Sequence, residues 1–167
     1  LGEFQKFKKN VNIIEAGDQE VKLIYIVDGY LMTYFNDKKG HKHVIQFGMP
    51  NWWTGDLAAF TDSKSSFYGI KTLTEASVYL FRPQTIEEET KKNPNLERYF
   101  RKIFQNALVS HQKRIIMNIS FTAEEKYLEF NKLYEGLELI VPQKHIASYL
   151  GITPEFLSKI RNNLRYK

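Results

Sequence analysis

The sequence contains no cysteine. Disulfides, thiolate metal centres, iron–sulfur clusters and cysteine nucleophiles are therefore excluded; the expected location is cytoplasmic, with which this absence is compatible without establishing it. No apolar run approaches the ~18 residues of a membrane span, so no membrane partner is expected. No secretory signal pattern opens the chain, which begins at Leu1 rather than Met. Proline is scarce, at 5 residues, and neither proline nor glycine falls between Asn95 and Phe121. No Ser/His/Asp set, glycine-rich phosphate loop or paired-carboxylate motif is visible, and the chain is not expected to be an enzyme. What remains is an ordinary globular composition: 167 residues, 43% hydrophobic and 26% charged.

The charge is unevenly placed. Residues 1–95 carry 12 Lys and Arg against 12 Asp and Glu; residues 96–167 carry 12 against 7. The whole formal excess of +5 therefore lies in the C-terminal part, which suits a polyanionic partner if a motif supports one.

Seven of the nine glycines lie in the first 69 residues. Between them run segments rich in β-branched and aromatic residues: 21–27, 30–35, 43–47, 67–72 and 77–81. Short strands at this spacing predict a sandwich or barrel, with Asp28-Gly29 and Lys39-Gly40 as reversal points. Trp52 and Trp53 are adjacent, so they point to opposite faces of a strand and are read mainly as core.

Beyond this β region, residues 83–92 predict a short helix. Residues 95–121 predict a long one, with Leu96, Phe100, Ile103, Ala107, Leu108, Ile115 and Ile119 recurring at intervals of three and four. That stripe is wide enough to need two covering surfaces, the β domain and a second copy of the helix. Thr122 with Glu125 reads as a capping box that starts another helix.

The C-terminal segment carries the most specific signal. Ile146, Ala147 and Leu150 form one apolar face, Gly151 suits a left-handed helix end, Thr153 an N-cap and Pro154 a first helical turn. Phe156, Leu157 and Ile160 form the next inward face. This is helix-turn-helix logic, with double-stranded DNA as the expected partner. The second helix then lies in the major groove, Pro154 and Glu155 at base edges, Glu155 accepting from cytosine and Lys159 donating to guanine. Gln143, Lys144, Ser158, Arg161 and Arg165 are expected at phosphates.

With these motifs in place, the chain resembles the catabolite-activator/FNR-type (CRP/FNR) bacterial transcription regulators over nearly its full length. Residues 13–18 and 23–29 resemble the opening of a cyclic-nucleotide-binding β-roll, and Gly55-Asp56-Leu57 resembles the Gly-Glu-Leu of its phosphate cassette. Residues 142–155 look closest to the Bacteroidetes-type branch. The resemblance implies an α+β fold: a jelly-roll (double-stranded β-helix) sensor over 1–93, a dimerisation helix over 94–121 and a helix-turn-helix domain over 122–167. It also implies a homodimer, contact with RNA polymerase and an effector. The ligand pocket would be built from Gly55, Asp56, Leu57, Ser65, Ser66 and Phe67, with His111 and Gln112 facing it from the long helix. The chain ends soon after the second helix, so a reduced or absent wing is expected.

Two departures bear on the ligand. Ser66 stands where the cyclic-nucleotide binders carry the Arg that pairs with the cyclic phosphate, and Asp56 replaces Glu. A phosphate without its guanidinium forgoes a charge-assisted pair of roughly 1.5–3 kcal/mol, so cAMP is not expected as a cofactor. Lys64 is the nearest substitute. The alternative function is a small-ligand sensor of the cyclic-nucleotide type with weak or lost DNA output. His41-Lys42-His43 resembles half of a cupin metal site, but Phe47 and Gly48 stand where its Glu should be, and no metal is expected.

Overall fold

The computed structural model describes residues 1–62 and 64–165. Eight strands form two four-stranded antiparallel sheets. They are β1 (Glu3–Phe7), β2 (Asn12–Ile14), β3 (Leu23–Asp28), β4 (Leu31–Asn36), β5 (Lys42–Gly48), β6 (Trp53–Thr54), β7 (Gly69–Thr72) and β8 (Ala76–Phe81). One sheet runs β1-β8-β3-β6, the other β2-β7-β4-β5. Ile14, Ile24, Ile26, Leu31, Ile70 and Val78 fill the core of this roll. The five strands expected from the sequence are present; β1, β2 and β6 are additional.

Lys39-Gly40 does form the reversal between paired strands β4 and β5. Asp28-Gly29 does not. It turns the chain from β3 in one sheet to β4 in the other. Gly29 adopts φ +87°, and a Cβ there would lie 2.2 Å from the Glu75 carbonyl oxygen, so the corner needs glycine twice over.

Among the described residues there are also six α-helices, α1 (Leu57–Asp62), α2 (Pro83–Lys92), α3 (Pro94–Ser120), α4 (Ala123–Leu133), α5 (Gln143–Leu150) and α6 (Pro154–Arg165), and one short 3-10 turn at Leu137–Leu139. Helix α3, 27 residues, is about 40 Å long. Its first turns pack on the roll through Phe100, which meets Trp53 at 5.2 Å between ring centroids. The capping box at α4 is present in both directions: Glu125 N donates to Thr122 Oγ1 (3.2 Å) and Thr122 N donates to Glu125 Oε2 (2.7 Å).

The outer face of the second sheet is not solvent. Met32, Tyr34, Val44 and Phe47 project there and share one buried cluster with Tyr127, Phe130, Tyr134, Ile146, Leu150 and Leu157 from the C-terminal helices. Phe47 is enclosed by the rings of Phe130, Tyr134 and Tyr149 at 5.5–6.0 Å. Strand β5 lies at the sheet's edge, and helix α5 covers it. Val44 N donates to Ser148 Oγ (2.9 Å), which in turn donates to the Lys42 carbonyl (3.1 Å). A side chain thus takes the place of a neighbouring strand and satisfies the open edge. Arg114 of α3 stacks on Tyr149, 4.1 Å from the ring centroid. The roll, the long helix and the C-terminal helices therefore meet at one residue.

Candidate nucleic-acid interface and ligand cassette

Helices α5 and α6 cross through small and apolar residues. Ile146, Ala147 and Leu150 of α5 are buried with Leu157 and Ile160 of α6. Gly151 ends α5 at φ +71°, a left-handed conformation that glycine adopts without strain. Thr153 Oγ1 accepts from Phe156 N (3.2 Å), the expected cap of α6. Gln143 Nε2 donates to the Pro154 carbonyl (2.8 Å) and ties the start of α5 to the start of α6.

The outward face of α6 is set by its period. With Leu157, Ile160 and Leu164 turned inward, Glu155, Ser158, Lys159 and Asn162 lie opposite them, all exposed. Asn162, not among the residues expected at DNA from the sequence, is placed there by its spacing of three and four from Lys159 and Ser158. Lys144, Pro154 and Arg165 are also exposed. Arg161, expected at a phosphate, is instead half-buried, with its guanidinium 3.9 Å from Glu138 Oε2. Glu138 also accepts from the Tyr127 hydroxyl, so Arg161 braces the domain from within. Gln143, also expected at a phosphate, is engaged at the turn.

His145, one residue into α5 from Lys144, is half-buried, and burial together with Lys144, Lys42 and Lys71 lowers its pKa. Its folded value lies below the ordinary value of about 6.5. The stability it contributes is complete above that value and is lost as pH falls through the lowered folded pKa. Thermal unfolding followed from pH 7 to pH 5 should show a falling midpoint, with a smaller fall in His145→Gln. An equal fall in both proteins would assign the acid sensitivity elsewhere.

In the cassette, Asp56 is buried and spends its carboxylate on the main chain. It accepts from Ala59 N (3.1 Å) and Phe67 N (2.7 Å), with Ser66 Oγ at 3.3 Å. It thus caps α1 and fastens the following loop. Ser66 is buried as well; its amide donates to the Asp18 carbonyl (2.8 Å) and its carbonyl accepts from Gly17 N (2.7 Å). Gly55 lies against Leu23, where a Cβ would approach Leu23 Cδ2 to 2.8 Å. Leu57, Ser65 and Phe67 are exposed, and Phe67 stacks on Phe35 at 4.8 Å. Lys64 pairs with Asp62 (2.9 Å). Position 66 therefore offers no cation to a phosphate, and the carboxylate of position 56 already serves three neighbours. His111 and Gln112 are exposed on α3, and their side chains make no hydrogen bond or ion pair among the described residues. Within one protomer they do not join the cassette.

The two other sequence candidates have structural roles. His41 Nδ1 and His43 Nε2 lie 3.4 and 2.9 Å from Asp37 Oδ2 and brace the β4–β5 hairpin. Among the described residues, no group of three His, Cys, Asp or Glu is placed to hold a metal. Trp52 packs toward Tyr134 and Trp53 toward Phe81 and Phe100, on opposite sides as expected. No helix among the described residues is long and apolar enough to cross a membrane.

Residues 4–93 match the cyclic nucleotide-binding domain family. The anaerobic regulatory protein of Aggregatibacter actinomycetemcomitans is 23% identical over 164 residues, covering 92% of this chain. The chain spans 63% of the length of that relative. Among solved structures, FixK2 from Bradyrhizobium japonicum superposes with a TM-score of 0.80 at 18% identity, covering 99% of this chain and 85% of that one. The c-di-GMP-responsive global regulator CLP of Xanthomonas campestris gives 0.76 at 13%, covering 99% and 87%. The chain belongs to the cyclic nucleotide-binding domain family, and its relatives and structural neighbours are regulators of the CRP/FNR family rather than enzymes.

Proposed function

We propose that this chain is a DNA-binding transcription regulator that acts as a two-fold dimer, reading a symmetric operator with α6. The observation that carries the reading is the α5–Gly151–α6 unit, whose second helix presents Glu155, Ser158, Lys159 and Asn162 on one open face. Such a face supplies an acceptor for cytosine, a donor for guanine and an amide for adenine. The dimer would form through α3, placing two α6 helices on half-sites one DNA turn apart. RNA polymerase and an effector are the further partners this reading implies, and the effector would act by shifting a two-state dimer. The relatives' regulatory names support the same reading.

Binding to cognate and scrambled duplexes at two salt concentrations tests it. Lys159→Ala should cost about 1–3 kcal/mol on the cognate site and relax preference at one base pair. Lys144→Ala should weaken both duplexes alike and lower the salt slope by about one unit for each phosphate lost. Equal losses on both duplexes for Lys159→Ala would make it a phosphate contact. No salt-dependent binding by the wild type would overturn the reading.

The cassette favours an output that does not depend on cAMP. With Ser66 in place of a guanidinium and Asp56 engaged internally, calorimetry should detect no saturable cAMP site in the micromolar range. A tight, stoichiometric site would return the cyclic-nucleotide sensor to first place, and Lys64 would be the first residue to replace.

A further inference from the structure

Three lysines from separate elements converge on His145 at the start of α5: Lys144 beside it on the helix, Lys42 from β5 and Lys71 from β7. The backbone fixes their places. The Lys42 carbonyl accepts from Ser148 of α5 (3.1 Å), so the start of β5 is fastened to the helix, and the Lys42 ammonium rests 4.2 Å from the Tyr34 ring centroid. Lys71 pairs across the sheet with Met32, so its side chain leaves on the same outer face that α5 covers. Among the described residues, none of the three lysines has an acidic oxygen within 4 Å. Like charges brought together without a counter-charge repel, and an anion relieves that repulsion. The Gln143–Pro154 hydrogen bond sets this cluster at the same end of the helix pair as the start of α6.

We propose that the β-roll is itself part of the DNA interface: Lys42 and Lys71 continue the phosphate contacts of Lys144 past the half-site and onto the flanking duplex. The inference rests on the DNA-binding reading above and extends it to a domain otherwise assigned to sensing. A duplex that passes the start of α6 and the start of α5 meets the roll next. The phosphates of a continuous backbone, spaced a few ångströms apart, suit lysines arrayed from helix to sheet.

The test uses duplexes selected by the full chain from a random pool, then prepared in two lengths around the same centre. One is about 20 base pairs, enough for two half-sites a turn apart, and one about twice that. The wild type should bind the longer duplex about tenfold more tightly at 0.1 M salt, whereas Lys42→Gln/Lys71→Gln should lose this advantage yet keep the short-duplex affinity within about twofold. Its salt slope on the long duplex should fall by about three to four units, roughly 0.9 for each of four phosphates in a two-fold complex. The charge-conserving Lys42→Arg/Lys71→Arg variant should retain the advantage, which separates charge from any effect on folding. Lys91→Gln/Lys92→Gln, remote on α2, should behave as wild type. Equal losses on both lengths, or no loss on either, would overturn the roll's role and leave the helix-turn-helix reading standing. Failure of the wild type to bind any selected duplex would overturn that reading and this inference together.

Discussion

Replacing Ile115 by Asp should leave the protein monomeric at concentrations where the wild type is expected to pair through α3. Helix α3 divides its apolar residues between two surfaces. Phe100 is buried on the roll, whereas further along the helix Leu108 (60% exposed), Ile115 (59%) and Ile119 (81%) stand open to solvent. Their spacing of seven and four residues puts them on one stripe, flanked by Val109 and Ile116. Burying an Ile side chain contributes about 1.5–3 kcal/mol, and a two-fold interface buries each residue twice, so about 3–6 kcal/mol rides on position 115. The dimer dissociation constant should rise about 100-fold to 10,000-fold. Because Ile115 is exposed in the protomer, the substitution costs the isolated fold only the small helix-propensity difference of Asp. Sedimentation equilibrium at micromolar concentration decides it. A wild-type monomer, or an Ile115→Asp protein that remains dimeric, would remove α3 from the interface.

How much of this was legible in the sequence varies with the range of the interactions. The helical part was legible because its signals are local. Thr122 and Glu125 cap each other across one turn, Gly151 takes the left-handed end, and Thr153 caps α6. Each depends on residues within four positions. The long helix was legible by its period, but which of its apolar residues face the roll was not. Ile103 looked equivalent to Leu108 in spacing, yet it is half-buried in the protomer while Leu108 is open. The short strands β1, β2 and β6 escape because two to five residues of mixed burial show no clean alternation. The Asp28-Gly29 corner looked like a hairpin because a turn motif does not say which sheet the next strand joins.

The cassette shows a different limit. The missing guanidinium could be counted, but the inward use of Asp56 could not, since its partners include Phe67, eleven residues away. One signal was present and had more to say: an Asp immediately before a short helical segment is a helix cap before it is a ligand residue. The shared core also left a trace. In β4, Leu31, Met32, Thr33 and Tyr34 are all buried, an unbroken run rather than an alternation. A strand of that kind is covered on both faces. Its second cover comes from residues about a hundred positions later, which no local pattern names.

That second cover makes Phe47→Ala the most damaging single truncation we expect. Phe47 is fully buried and lies where the roll's outer sheet meets Phe130, Tyr134 and Tyr149. Truncating a core Phe to Ala costs about 3–5 kcal/mol, and in a chain of this size each kcal/mol moves the midpoint about 2–4 °C, so the melting temperature should fall by about 6–20 °C. The loss should also be directional. The roll keeps its own separate core around Ile24, Ile26, Ile70 and Val78, whereas the C-terminal helices lose the surface on which their cluster is built. In the wild type, the shared cluster should couple both parts into one unfolding transition. In Phe47→Ala the C-terminal helices should open first. Hydrogen exchange reads this at Val44, whose amide is held by Ser148 of α5 and not by another strand. Its protection should drop to a smaller opening free energy than that of Ile26 in the roll core. Equal loss of protection at Val44 and Ile26 would show that the two parts still unfold as one and that the cluster is not what joins them. If the drop is confined to the α5 side, Phe47 is the residue that fastens the C-terminal helices to the roll.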